Sequence, residues 1–386
     1  MENFEEKACL CALNKIFGFK PRIALALIEH LGGAREVFKI GRRELELLLG
    51  PYTKYADIIR KSAVYEAADE LERFAKLDIS FIGTTEEHYP TLLKECDEAP
   101  IGLYIRSRTH ASKLWPDRKI AIVGTRDVSS YGKEWCTKCI YGLASSNEKP
   151  LIVSGLALGT DICAHKAAVD VGLPTIAVMA TGPESVYPYR HRSFAEELYQ
   201  IPGCALVTDY PPGTAPLAVH FLRRNRIIAG LSDTTVLIES KIKGGGMMTA
   251  RLAFSYDRDV FALPGRVDDI RSQGCNMLIR SKIAEPLTSV EDFLENIGMQ
   301  GRPGETVSDM DRLSSVYEKA ATADRIDQMA SLLKAIRHRR GITVEELAEA
   351  CGFGYARTVE LTSTLETDGF ISIDLLQRCC INPVKK

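Results

Sequence analysis

Between residues 118 and 265, short apolar runs alternate with helical segments, and this alternation leaves few folds open to the chain. The runs are KIAIVG (119–124), LIVSG (151–155), TIAVMA (175–180), ALVTD (205–209), TVLIES (235–240) and VFALPG (260–265). Each has a continuous apolar core, as expected of strands whose two sheet faces are both covered by helices. Helices are predicted from about Tyr131, Asp161 and Ser193, over 221–232, and after Gly246. The fold class is therefore α/β, a doubly wound parallel sheet. Ligands of such sheets bind beyond the carboxyl ends of the strands. Gly124-Thr125-Arg126, Ser154-Gly155, Gly182 and Lys243 stand there.

The residues at those ends suggest anion binding. In the helix FLRRNRIIAGLS (221–232), a 100° step puts Phe221, Ile227, Ile228 and Leu231 on one arc facing a core. Arg223 and Arg226 fall opposite, free to reach a phosphate. Arg224 falls inside the arc, where its permanent charge needs an anionic or carbonyl partner; a buried structural pair is the alternative to a ligand contact. Three further stretches converge on the same chemistry: VGTR (123–126), YPYRHR (187–192) and KGGGMMTA (243–250). Arginines, aromatics and glycine turns at strand ends describe a phosphate-binding crevice. Arg126, Arg190, Arg192, Arg223 and Arg226 are the candidate cations. Tyr187, Tyr189 and Phe221 are candidate stacking platforms, with core packing as the competing role. Asp161 and His165, four residues apart, read either as an acid/base pair or as a helix cap and a satisfied polar contact.

The flanks differ in texture. Residues 1–75 read as short helices broken at Gly18, Gly32-Gly33 and Gly50, a small helical (SAM/helix-hairpin-helix-like) domain. Its Gly18-Phe19-Lys20-Pro21 turn lacks the second glycine of a helix-hairpin-helix, so a bundle for protein contacts is an equal reading. Residues 76–297 form the Rossmann-like domain, an extension at 76–116 preceding the core at 117–297. A polar linker spans 298–325. At 326–386, three helices and a β-ribbon fit a winged helix, with Thr343 and Glu346 as a capping box. Its third helix carries one cation, Arg357, against Glu360 and Glu366. A sequence-reading helix is normally more basic, although Arg337, Arg339 and Arg340 offer charge for a DNA backbone or a protein.

A net charge of −2 confines any nucleic-acid site to a local patch. No apolar run approaches the roughly 20 residues that span a bilayer, and no signal-peptide pattern opens the chain. A cytoplasmic protein without membrane attachment is expected. Eleven cysteines are scattered, Cys136 and Cys139 forming the one CxxC, and they read as structural free thiols.

With these motifs in hand, the chain resembles the bacterial DprA/Smf family of DNA-processing proteins. The resemblance rests on YPTLL, IAIVGTR with Ser130-Tyr131-Gly132, IVSGLALGTDICAH, TIAV, YP, the FxxRNRIIAGLS core, MTA followed by ALPG, and Gly274, Asn276, Leu278 and Ile279. It implies a single-stranded DNA-binding homodimer that protects incoming DNA during natural transformation and loads the recombinase RecA. Arg126, Gly155, Arg224, Asn225, Arg226 and Gly245 match the family pattern. The expected DNA-contacting set is Gly124, Arg126, Ser154, Gly155, Tyr187, Arg190, Arg192, Phe221, Arg223, Arg224, Asn225, Arg226, Lys243, Gly245, Gly246 and Thr249, with no catalytic residues, metal or cofactor. The chain departs from the family's pattern at Gly244-Gly245-Gly246, where Ser-Gly-Ser is usual, and at Leu222 and Thr160. The base often found after YP is displaced to Arg190 and Arg192.

Competing classes lack their signatures. A Rossmann-like phosphoribohydrolase needs PGGxGTxxE, a dehydrogenase needs GxGxxG after its first strand, and a P-loop ATPase needs GxxxxGK[ST]; none occurs. A winged-helix transcription regulator conflicts with the acid-leaning third helix.

Overall fold

The apolar runs become strands of one nine-stranded sheet in a computed structural model. It describes residues 5–146, 148–299, 313–314, 316–317, 322–339, 342–374 and 377–381. Strands β1 (Ile79–Gly83), β2 (Gly102–Arg106), β3 (Lys119–Val123), β4 (Leu151–Ser154), β5 (Thr175–Val178), β6 (Ala205–Thr208), β7 (Thr234–Leu237), β8 (Asp259–Ala262) and β9 (Glu285–Pro286) lie in the order β1-β2-β6-β5-β4-β3-β7-β8-β9. From β6 to β9 the pairing is parallel. The two strands of the extension run antiparallel, and β2 joins β6 in the register Tyr104 to Thr208. The expected parallel sheet is thus a mixed one, its antiparallel edge built from residues that precede the core.

Period-two alternation sorts the strand side chains between two covered faces. Ala121, Val123, Val153 and Val178 pack with Ile227, Ile228 and Ala250 of the helices Ala218–Leu231 and Gly245–Ser255. Ile120, Ile122 and Ile152 pack on the other side with Cys136, Ile140 and Ala164 of the helices Ser130–Ser145 and Thr160–Asp170. Strand order reverses at β3, whose neighbours are β4 and β7. The switch-point crevice therefore opens at Gly124-Thr125-Arg126, as such topologies require.

Residues 6–75 fold into helices that share a core with β1 and β2: Leu10, Leu13 and Phe17 pack with Phe81, Ile101 and Tyr104. In the Gly18–Pro21 turn the Gly18 carbonyl accepts a hydrogen bond from Arg223, while Phe19 and Lys20 are exposed. The chain divides into two compact units, Met1–Gly301 and Arg302–Lys386. In the second, Ala323–His338, Val344–Cys351 and Tyr355–Thr367 precede a ribbon of Ile371–Ile373 paired with Cys379–Ile381. The Thr343/Glu346 capping box is present. Arg357 pairs with Glu360 at 2.7 Å and Arg339 with Glu346 at 2.6 Å. Most of the expected linker at 298–325, Arg340 and the Arg337 side chain lie outside the described residues. Among the described residues no helix is long and apolar enough to cross a membrane.

Candidate functional site

The switch point is a cavity of about 580 Å³, walled by the β3 turn, the 218–231 helix and the glycine run that starts the 245–255 helix. Of the expected contact residues, Gly124, Arg126, Tyr187, Phe221, Arg224, Asn225, Gly245, Gly246 and Thr249 line it. Close approach explains the glycines: a Cβ on Gly124 would meet Thr160 Oγ1 at 2.5 Å, and one on Gly246 would meet Leu237 Cδ1 at 2.7 Å. The 245–255 helix starts without a side-chain cap, leaving first-turn amide donors for an anion.

Two arginines differ in standing. Arg126 is exposed at the mouth, its guanidinium 5.2 Å from the centre of the Phe221 ring. Tyr187 meets Phe221 edge-on at 5.4 Å, so a cation and two aromatic rings frame the entrance. Arg224 forms the floor. It is 3% exposed, donates to the Val178 carbonyl at 3.0 Å, and occupies the space above Gly155. Burial pushes its pKa down, and Asp161, which also lines the cavity, opposes that shift. Burial pushes the Asp161 carboxyl up, with Arg224 the first counterweight. Arg224 is thus a buried cation bonded to a carbonyl and also a lining group of the cavity.

Arg226 corrects the wheel. It is 4% exposed, bound to Asp209 Oδ2 at 2.5 Å and donating to the Glu98 carbonyl. The far side of its helix is not solvent: Gly230 lies against Leu93 and Cys96 of the extension, so residues 224–231 are buried on every side. Arg223 is likewise turned away, donating to Gly18 with its guanidinium 4.5 Å from the Phe19 ring centre. Neither reaches the cavity.

The remaining expected residues lie beside the cavity or beneath it. Ser154 is fully buried and donates to the Ile122 carbonyl at 2.6 Å, bracing two strands. Arg190 and Arg192 are exposed in and just after the turn Tyr189–His191, Arg192 5.8 Å from the Tyr189 ring centre. Lys243 is exposed outside the cavity, where Lys241 takes the lining position. The expected contact set omitted Lys241, Ser240 and Thr125; the signal available was their place two to four residues past a strand end. The Asp161 carboxylate accepts from the Ala157 amide at 3.3 Å. His165 is fully buried with Nδ1 2.8 Å from Thr175 Oγ1. That hydroxyl donates to the Ile152 carbonyl, so His165 Nδ1 carries the proton. Burial first, then Arg224 and His191, hold its pKa at about 3. Among the described residues no cluster of His, Cys, Asp or Glu is suited to a metal ion.

Comparison with known proteins fits this architecture. The family model of DNA recombination-mediator protein A matches residues 80–298. The chain belongs to that family. The DNA recombination-mediator match covers the sheet from the second residue of β1 onward and every wall of the cavity. Among family relatives, DNA processing protein DprA of Streptococcus pneumoniae is 36% identical over 259 residues, 64% of this chain and 86% of that protein. Protein Smf of Escherichia coli is 38% identical over 216 residues, and the match spans 56% of each chain. The X-ray structure of the Streptococcus pneumoniae protein covers 76% of this chain and 98% of its own, with a TM-score of 0.61 and 29% identity. DNA processing protein A from Helicobacter pylori, whose structure describes a single-stranded DNA binding mode, covers 57% and 96%, with a TM-score of 0.51 and 28% identity.

Proposed function

We propose that this recombination mediator holds single-stranded DNA at the switch-point cavity, protects the incoming strand and delivers it to RecA, acting as a cytoplasmic homodimer without turnover. The observation that carries the reading is the entrance: an exposed Arg126 set against Phe221, with Tyr187 beside it, over a helix start rich in unpaired amides. Single strands are held by such a pairing of cations with aromatic faces. A duplex keeps its bases stacked inside and offers the rings nothing. Arg126, Lys241, the amides of 245–246 and Arg224 contact phosphate, and Phe221 and Tyr187 contact bases. Arg190, Arg192 and Lys243 continue the strand's path outside the cavity. The single-stranded DNA mode of the Helicobacter pylori relative supports the ligand class.

Titration of labelled single- and double-stranded oligonucleotides at several salt concentrations tests the proposal. The expected result is preference for the single strand, indifference to ATP, and a slope of log K against log salt of about −0.7 per phosphate contacted. Equal affinity for duplex, or affinity insensitive to salt, would refute it. Release of adenine from AMP, lost in Arg126→Ala, would favour a phosphoribohydrolase instead.

A further inference from the structure

The helices Ser130–Ser145 and Thr160–Asp170 lie side by side. On the first, Lys133, Cys136 and Thr137 share one face by their i, i+3, i+4 spacing. Cys163 of the second helix lands on that face. Its sulfur is 3.9 Å from Thr137 Oγ1 and 3.9 Å from the Lys133 carbonyl oxygen, and it packs against the buried cluster that contains Cys136, which lies between those two residues on that face. No disulfide joins them. Cys136 is fully buried, whereas Cys163 is half-buried with a route to solvent.

The two thiols are unequal. The neighbouring Cys136 thiol draws Cys163 below the ordinary thiol value, helped by Thr137, Lys133 and Lys166 and opposed by burial. The same proximity holds Cys136 well above its ordinary value. Burial pushes up Cys9, Cys11, Cys96, Cys139, Cys204, Cys275 and Cys351. Thiolate character and access select the sulfur that oxidants reach, and here both select Cys163. The CxxC partner Cys139 sits in the core on the same helix as Cys136 and takes no part.

We propose that Cys163 and Cys136 form a peroxide-oxidised dithiol, Cys163 attacking and Cys136 resolving, which closes a disulfide between the two helices. The Cys163 thiolate attacks one peroxide oxygen, the O–O bond breaks, and the departing hydroxide takes a proton to leave as water. Cys163 is then a sulfenic acid. The Cys136 sulfur attacks the Cys163 sulfur, the S–O bond breaks, and the displaced hydroxide leaves as water with the Cys136 proton. One hydrogen peroxide and two thiols give one disulfide and two waters. The bridge bears on the β3 turn, because Thr160 donates to the Thr125 carbonyl through its amide at 3.1 Å and its hydroxyl at 3.2 Å.

The test is hydrogen peroxide treatment of the native full chain, followed by blocking of free thiols and peptide mapping by mass spectrometry. The expected result is a Cys136–Cys163 linked peptide as the first disulfide, removed by dithiothreitol. In Cys136→Ser, Cys163 should be trapped by dimedone as the sulfenic acid with no link formed; in Cys163→Ser neither product should appear. Native iodoacetamide labelling of Cys163 should rise with pH around a midpoint below that of an ordinary thiol. Sulfenic acid persisting on Cys163 in the parent with no link to Cys136, or a different pair linking first, would overturn the proposal.

Discussion

A Cβ on Gly155 would meet Nη1 of Arg224 at 1.4 Å: the guanidinium stands where any other side chain at 155 would have to be. The turn after β4 therefore admits the cavity's buried cation only because that position carries no side chain. Gly155→Ala should expel Arg224 from its bond to Val178 and leave Asp161 without its nearest opposing charge. Leaving buried polar groups unsatisfied in this way costs about 1–3 kcal/mol, to be read as a lower denaturation midpoint. A midpoint equal to the parent's would show that Arg224 has another resting place.

Arg226 predicts a stability phenotype. Its loss in Arg226→Ala leaves Asp209, 4% exposed, as an unpaired buried carboxylate, at a cost of about 3–5 kcal/mol. Adding Asp209→Asn should recover part of the loss, since the stranded charge is gone. Thermal melts on the two single variants and the double decide it. Additive losses would mean that the residues act independently.

Arg126 should show the opposite pattern. Exposed and set only against the Phe221 ring, it should be removable with little change in melting temperature. Arg126→Ala should weaken single-stranded DNA binding and flatten the salt slope by about 0.7. Binding isotherms at several salt concentrations measure this, and an unchanged slope would remove Arg126 from the phosphate path.

Acid should destabilise the fold through His165. Its folded pKa of about 3 lies below the ordinary 6.5, so the unfolded chain binds the proton first as pH falls. Stability is then lost from about 6.5 down to about 3, by at most about 1.4 kcal/mol per pH unit. Asp161 works in the other direction, its raised pKa letting the folded state take a proton before the unfolded chain does. His165→Asn should shrink the stability difference between about pH 7 and about pH 5. Urea titrations at both values measure it, and an equal difference in parent and variant would count against the assignment.

The sheet was legible because a strand covered on both faces is apolar at every position, as Ile120 through Val123 show. The cavity was legible in outline because strand ends and glycine turns fix where a crevice opens. The arginines were harder. A helical wheel sees one helix, and whether its far side meets water depends on segments remote in sequence. Here Leu93, Cys96 and the Glu98 carbonyl cover that side from about 130 residues upstream, and Asp209 supplies the counter-charge. Lys241 and Lys243 could not be ranked, because two residues of turn decide which one lines the cavity.

The pairing of β2 with β6 has a consequence for synthesis. Tyr104 lies opposite Thr208, so the strand that completes the N-terminal part is translated about a hundred residues later, roughly 5–20 s at ordinary elongation rates. Through that interval one flank of the β1–β2 ribbon leaves the ribosome with its backbone donors and acceptors unmatched, and such edges pair readily with other chains. Chains growing on one messenger expose the same flank side by side. Ribosome spacing and elongation rate between codons 104 and 208 thus bear on the yield of native protein, independently of how stable the finished fold is.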